Sequence, residues 1–280
     1  MTVKAYAKIN LSLDLVGKRE DGYHYLRTVM QTVSLCDIIK VERCDAGISI
    51  SCNKRYIPTD ERNIVHKVAT AFFKAAGIDG GVKIHLRKII PCGAGLGGGS
   101  ADGAAVLNAL CELYGRPMTA EQKVALTESI GADIPFFFYG GTALCEGIGE
   151  RVTPLDPLPE CWMVIAKPSQ SISTPAIFKS PLTKSVQGNS TDTVIDGIKA
   201  GDIDAVANGI ANALEPASLE ICPTIRAIKE ELISLGALSS MMSGSGSSVF
   251  GIFKTHKTAR NAYLTLKEKY RETYIVKPQV

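Results

Sequence analysis

A chain of 280 residues, 45% hydrophobic and 21% charged, is long enough for one large or two ordinary domains with full cores. Its 31 basic and 28 acidic residues leave a net charge of +3, too balanced for a protein that holds nucleic acid through phosphate charge. No apolar run reaches the length of a membrane span and no apolar leader opens the chain, so a cytoplasmic protein with neither membrane nor nucleic-acid partner is expected. The eight cysteines show neither C-x-x-C pairs nor zinc-like spacing and read as reduced thiols, mostly in the core.

Val3 to Leu15 reads as one strand of period two. Val3, Ala5, Ala7, Ile9, Leu11, Leu13 and Leu15 share the apolar face. Lys4, Tyr6, Lys8, Asn10, Ser12 and Asp14 share the other, where Lys4 and Asp14 read as solvated. Lys8 and Asn10, side by side at its middle, suit either solvent or an anionic or hydroxylic ligand; the pattern leaves both open. A charged loop with two glycines, Gly17 to His24, precedes strands at Val29–Ile39 and Gly47–Cys52. Asn63 to Ala76 reads as an amphipathic helix stopped by Gly77.

A strand over Val82–Ile90 then runs into Pro91-Cys92-Gly93-Ala94-Gly95-Leu96-Gly97-Gly98-Gly99-Ser100-Ala101-Asp102. Five glycines in the seven positions 93–99 bury no side chain and offer backbone N–H groups for close approach. A helix from Ser100, read as its N-cap, to Tyr114 follows. Strand, glycine loop and helix N-terminus together make a phosphate cradle. No Gly-Lys-Ser/Thr closes it, so it is not a Walker A loop. Gly93, Gly95 and Gly98 fit G-x-G-x-x-G, but a dinucleotide fold needs a parallel strand next. A second helix follows instead, with Thr119 and Gln122 as its capping box, Val124, Ala125, Leu126 and Ile130 inside, and Gly131 as its stop.

Asp133 comes just after that stop, where position alone makes it a turn former. Thr142 to Val152 reads as a hairpin, and Pro154, Pro157 and Pro159 mark a domain boundary. The expected domains are 1–155 and 156–280. The second alternates strand (162–166), helices (192–213 and 223–235), strands (237–242 and 247–253), helix (258–270) and strand (273–277). That is the split β-α-β arrangement of ferredoxin-like folds. Ser243-Gly244-Ser245-Gly246-Ser247, between its central strands, is either a flexible turn or a second nest of donors.

Four segments in this order resemble the GHMP small-molecule kinases: Ala7–Leu11, Pro91–Ser100, Gly131–Pro135 and Ser243–Gly246. The Gly-x-Arg-x-Asp-Gly-Tyr-His run at Gly17–His24, Thr174–Phe178 and Asn212–Glu215 resemble one branch, whose acceptor is a cytidine-diphosphate-linked methylerythritol. The resemblance spans residues 5 to about 253. It departs at Tyr6, where many members have Pro, and at Gly103, where Ala is usual.

The resemblance implies an α+β fold of two domains, an N-terminal half like ribosomal protein S5 domain 2 and a ferredoxin-like second half. It implies ATP as co-substrate in Pro91 to Ala101, with Asn63 and Lys88 near the nucleotide. Lys8 and Asp133 become the catalytic pair, Asp133 as base, which reverses the reading from position alone. Asn10, Tyr23, His24, Thr174 and Phe178 fall at substrate positions. Mg²⁺ is expected with ATP, though the sequence shows no carboxylate set for it and only the Ser100 hydroxyl nearby. The implied activity is phosphorylation of a tertiary C2 hydroxyl in non-mevalonate isoprenoid precursor synthesis. Rival readings are a kinase of the family acting on mevalonate, homoserine or a sugar, a non-catalytic ATP and metabolite sensor, and, distantly, a nicotinamide-dependent oxidoreductase. Oligomeric state is open.

Overall fold

The computed structural model describes residues 1–18, 24–185 and 189–280. It divides into two compact units, neither a single run of sequence. The first comprises Met1–Ala7, Leu35–Ile90 and Gly97–Tyr139; the second comprises Lys8–Ser34, Pro91–Leu96 and Gly140–Val280.

The expected first strand is two, β1 (Thr2–Asn10) and β2 (Ser12–Lys18). Ser12 causes the break: its hydroxyl accepts the Val29 amide at 3.0 Å, where a regular ladder would use a carbonyl. β3 (His24–Cys44) is a 21-residue strand whose later part lies in the first unit. There it pairs antiparallel with β5 (Gly81–Arg87), which pairs parallel with β4 (Gly47–Cys52). α1 (Ile64–Ala76) and α2 (Gly98–Leu113) pack together, with α3 (Ala120–Thr127) and the four-residue α4 (Phe136–Tyr139) after them. Their core joins Ile39, Val41, Ile84 and Leu86 from the strands to Val68, Phe72, Leu107 and Leu110 from the helices. Asn63 and Gly77 bound α1 as the sequence predicts, and the Thr119–Gln122 capping box forms. α3 stops at Thr127, short of the expected end at Gly131, and Ala125 is exposed, but Leu126 and Ile130 pack against the core as expected.

In the second unit β2 and β6 (Thr142–Gly147) both pair antiparallel with the earlier part of β3, and β6 forms a hairpin with β7 (Arg151–Pro154). β8 (Trp162–Lys167) is followed by short helices α5 (Thr174–Lys179) and α6 (Pro181–Ser185), too brief to show a sequence period. The long helix expected over 192–213 is two, α7 (Ser190–Lys199) and α8 (Ile203–Gly209). Gly201 turns left-handed between them, and Asp202 caps α8 by accepting the Asp204 and Ala205 amides. β9 (Ala211–Asn212) adds a parallel pairing to β2. Then come α9 (Glu215–Ile221), α10 (Thr224–Ser234), β10 (Ser239–Met242), β11 (Val249–Phe253), α11 (His256–Lys269) and β12 (Glu272–Val276).

β8, β10, β11 and β12 form an antiparallel sheet in the order β10-β11-β8-β12, the split β-α-β order the alternation predicts. Ile225, Ile228 and Leu232 of α10 and Ala259, Ala262 and Leu266 of α11 cover it, in one core with Leu13 and Leu15 of β2. Four cysteines are buried and four half-buried, all free thiols. Among the described residues no helix is long and apolar enough to cross a membrane.

Candidate active site

Within the second unit, the glycine loop and the turn Ser243–Ser247 meet backbone to backbone. Gly93, Gly95 and Gly97 all have positive φ, between 60° and 75°. A Cβ on Gly95 would lie 2.0 Å from the Ser243 carbonyl oxygen, so only glycine fits. Around that contact the Ser243 hydroxyl donates to the Gly95 carbonyl at 2.9 Å, and the Ser248 amide donates to the Ala94 carbonyl at 3.2 Å. The Lys8 amide holds the Leu96 carbonyl at 3.0 Å, fastening the loop to β1.

The turn is fastened from the other side by two residues of the Asn212–Glu215 segment. The Asn212 amide group donates to the carbonyls of Met242 at 2.9 Å and Gly244 at 2.8 Å. Glu215 accepts the Met242 amide at 2.9 Å and pairs with Lys229. The turn is a built feature, not slack between strands.

Lys8 is only 3% exposed, and its ammonium donates to Asn10 Oδ1 at 2.7 Å. Asn10 in turn donates to Thr28 Oγ1 at 2.9 Å, its amide donates to Ser243 Oγ at 3.2 Å, and its Oδ1 lies against Gly244. Of the two readings the strand pattern left open for Lys8 and Asn10, solvation is excluded. Asp14 is corrected too: it is buried, accepting Ser190 N, Ser190 Oγ and Thr191 N, and so caps α7 from a distant strand.

The same turn reaches the predicted substrate residues. Ser245 Oγ is 2.6 Å from Thr174 Oγ1, at the first position of α5. One helical turn on, Phe178 stacks on His24, with ring centroids 6.2 Å apart and planes 24° from parallel. His24 Nδ1 is buried and, among the described residues, has no hydrogen-bond partner. A ligand group is the natural partner for such an atom. Tyr23 lies outside the described residues.

In the first unit α2 begins at Gly98, with left-handed Gly97 as its cap and no side-chain cap bond. Ser100 is therefore the third helical residue, not the cap, which leaves the first-turn amides of Gly98, Gly99 and Ser100 without intrahelical partners. Ala101 is buried beneath them. Asp133 is half-buried in the turn between α3 and α4. That turn abuts the α2 N-terminus: a Cβ on Gly131 would lie 3.7 Å from Ser100 Oγ. Gly103, the departure from the family pattern, lets α1 in: a Cβ there would meet Ile64 Cγ2 at 2.9 Å.

Asn63 caps α1 by accepting the Val65 amide at 2.9 Å and donates to the Pro58 carbonyl at 2.6 Å. Lys88 is buried, its ammonium held between Asp37 and Asp102, 2.5 Å from the latter, and 3.4 Å from the Gly98 carbonyl. Burial works against its charge, but the two carboxylates outweigh burial and raise its pKa. Burial pushes the Asp102 carboxyl up to about 7, with Lys88 opposing the rise and Asp37 adding to it. Among the described residues no three or more His, Cys, Asp or Glu side chains gather to hold a metal ion.

Family models for the GHMP kinase N-terminal domain and the GHMP kinase C-terminal domain match residues 63–141 and 194–272. The chain belongs to the GHMP kinase family. A Clostridium botulinum relative called 4-diphosphocytidyl-2-C-methyl-D-erythritol kinase is 45% identical over 278 residues, covering 99% of each chain. One of that name from Clostridium kluyveri is 44% identical over the same span and coverage. A crystal structure of 4-(cytidine 5'-diphospho)-2C-methyl-D-erythritol kinase superposes with a TM-score of 0.85 at 33% identity, covering all of both chains. A homoserine kinase from Cytophaga hutchinsonii, at 19% identity, shares the fold: TM-score 0.78, all of this chain and 95% of that one. In this GHMP kinase the sequence motifs covered Asp102, Asn212, Glu215 and Ser243 without giving them a role, and did not single out Thr28 or Asp37; all six make the contacts described above. Each acts on a partner remote in sequence, except Asp102, whose cue was an acid inside the glycine helix.

Proposed function

We propose that this GHMP kinase transfers the γ-phosphoryl group of ATP to the C2 hydroxyl of 4-diphosphocytidyl-2-C-methyl-D-erythritol, in the cytoplasm. The observation that carries the reading is 45% identity, end to end, with a relative of that name. Residues 1–155 are assigned to nucleotide binding and 156–280 to the ferredoxin-like half.

The loop fits a polyphosphate. Three left-handed glycines and the first-turn amides of α2, which have no intrahelical partner, offer donors and a positive dipole end. In transfer the acceptor oxygen forms a bond to Pγ, the bond from Pγ to the β–γ bridging oxygen breaks, and ADP departs. The hydroxyl proton passes to the Asp133 carboxylate. Lys8, oriented by Asn10, places its charge beside the hydroxyl and the moving phosphoryl group. Bound with ATP, Mg²⁺ would further neutralise phosphate charge, and the Ser100 hydroxyl is the group of this chain that would lie near it. His24 and Phe178, with Tyr23, hold the cytosine: a ring to stack on and a buried nitrogen awaiting a partner. Asn10 and Thr174 belong to the acceptor side, and Asn63 and Lys88 to the nucleotide side.

Phosphorus NMR of the product tests this directly. ATP with 4-diphosphocytidyl-2-C-methyl-D-erythritol should give a new phosphomonoester signal and ADP, while mevalonate and homoserine should give neither. Turnover of either alternative at a comparable rate would overturn the assignment.

A further inference from the structure

Three charged side chains lie buried under the phosphate loop, with Lys88, Asp37 and Asp102 exposed by 5%, 0% and 2%. Full ionisation gives the cluster a net negative charge, and Asp102 Oδ1 has no hydrogen-bond partner among the described residues. Buried ion pairs are rarely worth more than apolar packing of equal volume, so stability does not account for this one.

Its bonds are directional instead. Asp37, on β3, accepts the amides of Ile89 and Ile90, the latter at 2.9 Å, and these residues lead straight into Pro91. Lys88, from the same lead-in, joins Asp37 to Asp102 in α2 and reaches the Gly98 carbonyl at the start of that helix. The two ends of the loop touch here: a Cβ on Gly98 would sit 2.9 Å from Ile90 Cγ2 and 3.4 Å from Lys88 Nζ. Beside Asp102, the nearest atoms to a Cβ on Gly103 would be apolar, from Ile64 and Val68 of α1 and Ile134 of the Asp133 turn.

We infer that Asp37, acting through Lys88, Asp102 and the Ile89–Ile90 amides, is a positioning residue that clamps both ends of the phosphate loop. The inference rests on the nucleotide-binding reading above. Asp37 touches no nucleotide in this account; it sets where the donors of residues 91–98 stand, and small displacements of such donors are costly.

Asp37→Ala leaves Lys88 and Asp102 as a charge-balanced pair, so the variant is expected to fold. Calorimetric titration with Mg-ADP should then show Kd raised by about tenfold, the weight of one or two lost hydrogen bonds. The KM for the acceptor should not move. Asp37→Asn keeps an oxygen for the two amides and should recover most of the affinity. Lys88→Met should weaken binding too, and its combination with Asp37→Ala should be far less than additive. A role in stability alone would lower Tm and leave the Kd of the folded fraction unchanged. Wild-type affinity in folded Asp37→Ala overturns the inference; so does full additivity with Lys88→Met, which would make Lys88 a direct nucleotide contact. If Asp37→Ala unfolds, Asp37→Asn with Lys88→Met and Asp102→Asn, neutral and of similar shape, replaces it, and unchanged affinity there overturns the inference equally. Failure of the wild-type protein to bind Mg-ADP would instead sink the nucleotide reading itself.

Discussion

Lys8 is buried against Asn10, which is what a point charge aimed at a phosphoryl group requires. If it works with Asp133, Asp133→Asn should lower kcat by about 10²–10⁴-fold, the span of a positioned general base. Adding Lys8→Met should make the enzyme scarcely worse than the poorer single variant, because groups acting as a unit are non-additive. Steady-state kinetics on the three variants decides; full turnover in Asp133→Asn would return that residue to a turn former. Asp102 gives a prediction of the opposite kind. Its carboxyl holds a proton up to about 7 in the fold, whereas an unfolded chain releases it near about 4. Between those limits the folded state binds more protons, so this residue's contribution to stability is full below about 4 and is lost as pH rises through about 7. Urea midpoints from pH 4.5 to 7.5 should therefore show Asp102→Asn gaining on the wild type as pH rises. A constant difference would mean that Asp102 does not titrate in that window.

Elements were legible where their signals are local and illegible where a partner sits far along the chain. Asn63, Gly77 and the Thr119–Gln122 box act within four residues and bound their helices as expected. The cap of α7 comes from Asp14, 176 positions away from Ser190, and a carboxylate partner of the Lys88 ammonium from Asp37, 51 positions from Lys88. No window on the sequence contains such pairs. The glycine loop itself shows both cases. Its glycines announce positive φ, but not which of them has backbone pressed against it. Gly93 has φ of 60°, and a Cβ there would lie 4.0 Å from Ser171 Cβ, while Gly95 has φ of 75°, and a Cβ there would lie 2.0 Å from the Ser243 carbonyl oxygen. Gly93→Ala should thus cost only the ~1 kcal/mol of a left-handed alanine. Gly95→Ala must also push the two loops apart, so it should lose clearly more stability and most of kcat/KM for ATP. Thermal denaturation with kinetics at limiting ATP compares them, and equal effects would show that the loops separate freely.

At the scale of the whole molecule, the prolines at 154, 157 and 159 suggested that the chain folds as two consecutive pieces, and the second unit shows how much of residues 156–280 depends on what comes before. β2 pairs with β9, and the Ala213 amide donates to the Leu13 carbonyl at 2.9 Å. Leu13 and Leu15 sit in the core that α10 and α11 share with the four-stranded sheet. A fragment 156–280 would expose that apolar surface, leave β9 an open edge and strip α7 of its Asp14 cap. Losing two buried leucines alone removes about 3–6 kcal/mol of apolar burial, a large share of an ordinary domain's stability. The fragment should therefore unfold at lower urea than the intact chain, with weak protection of the α7 amides in hydrogen exchange. A peptide of residues 8–34 added in trans should restore part of both, since it carries β2 and the half of β3 that pairs with it. If 156–280 alone unfolds cooperatively at the intact chain's midpoint, the early strands are dispensable to it, and 155/156 is a true boundary of folding as well as of sequence.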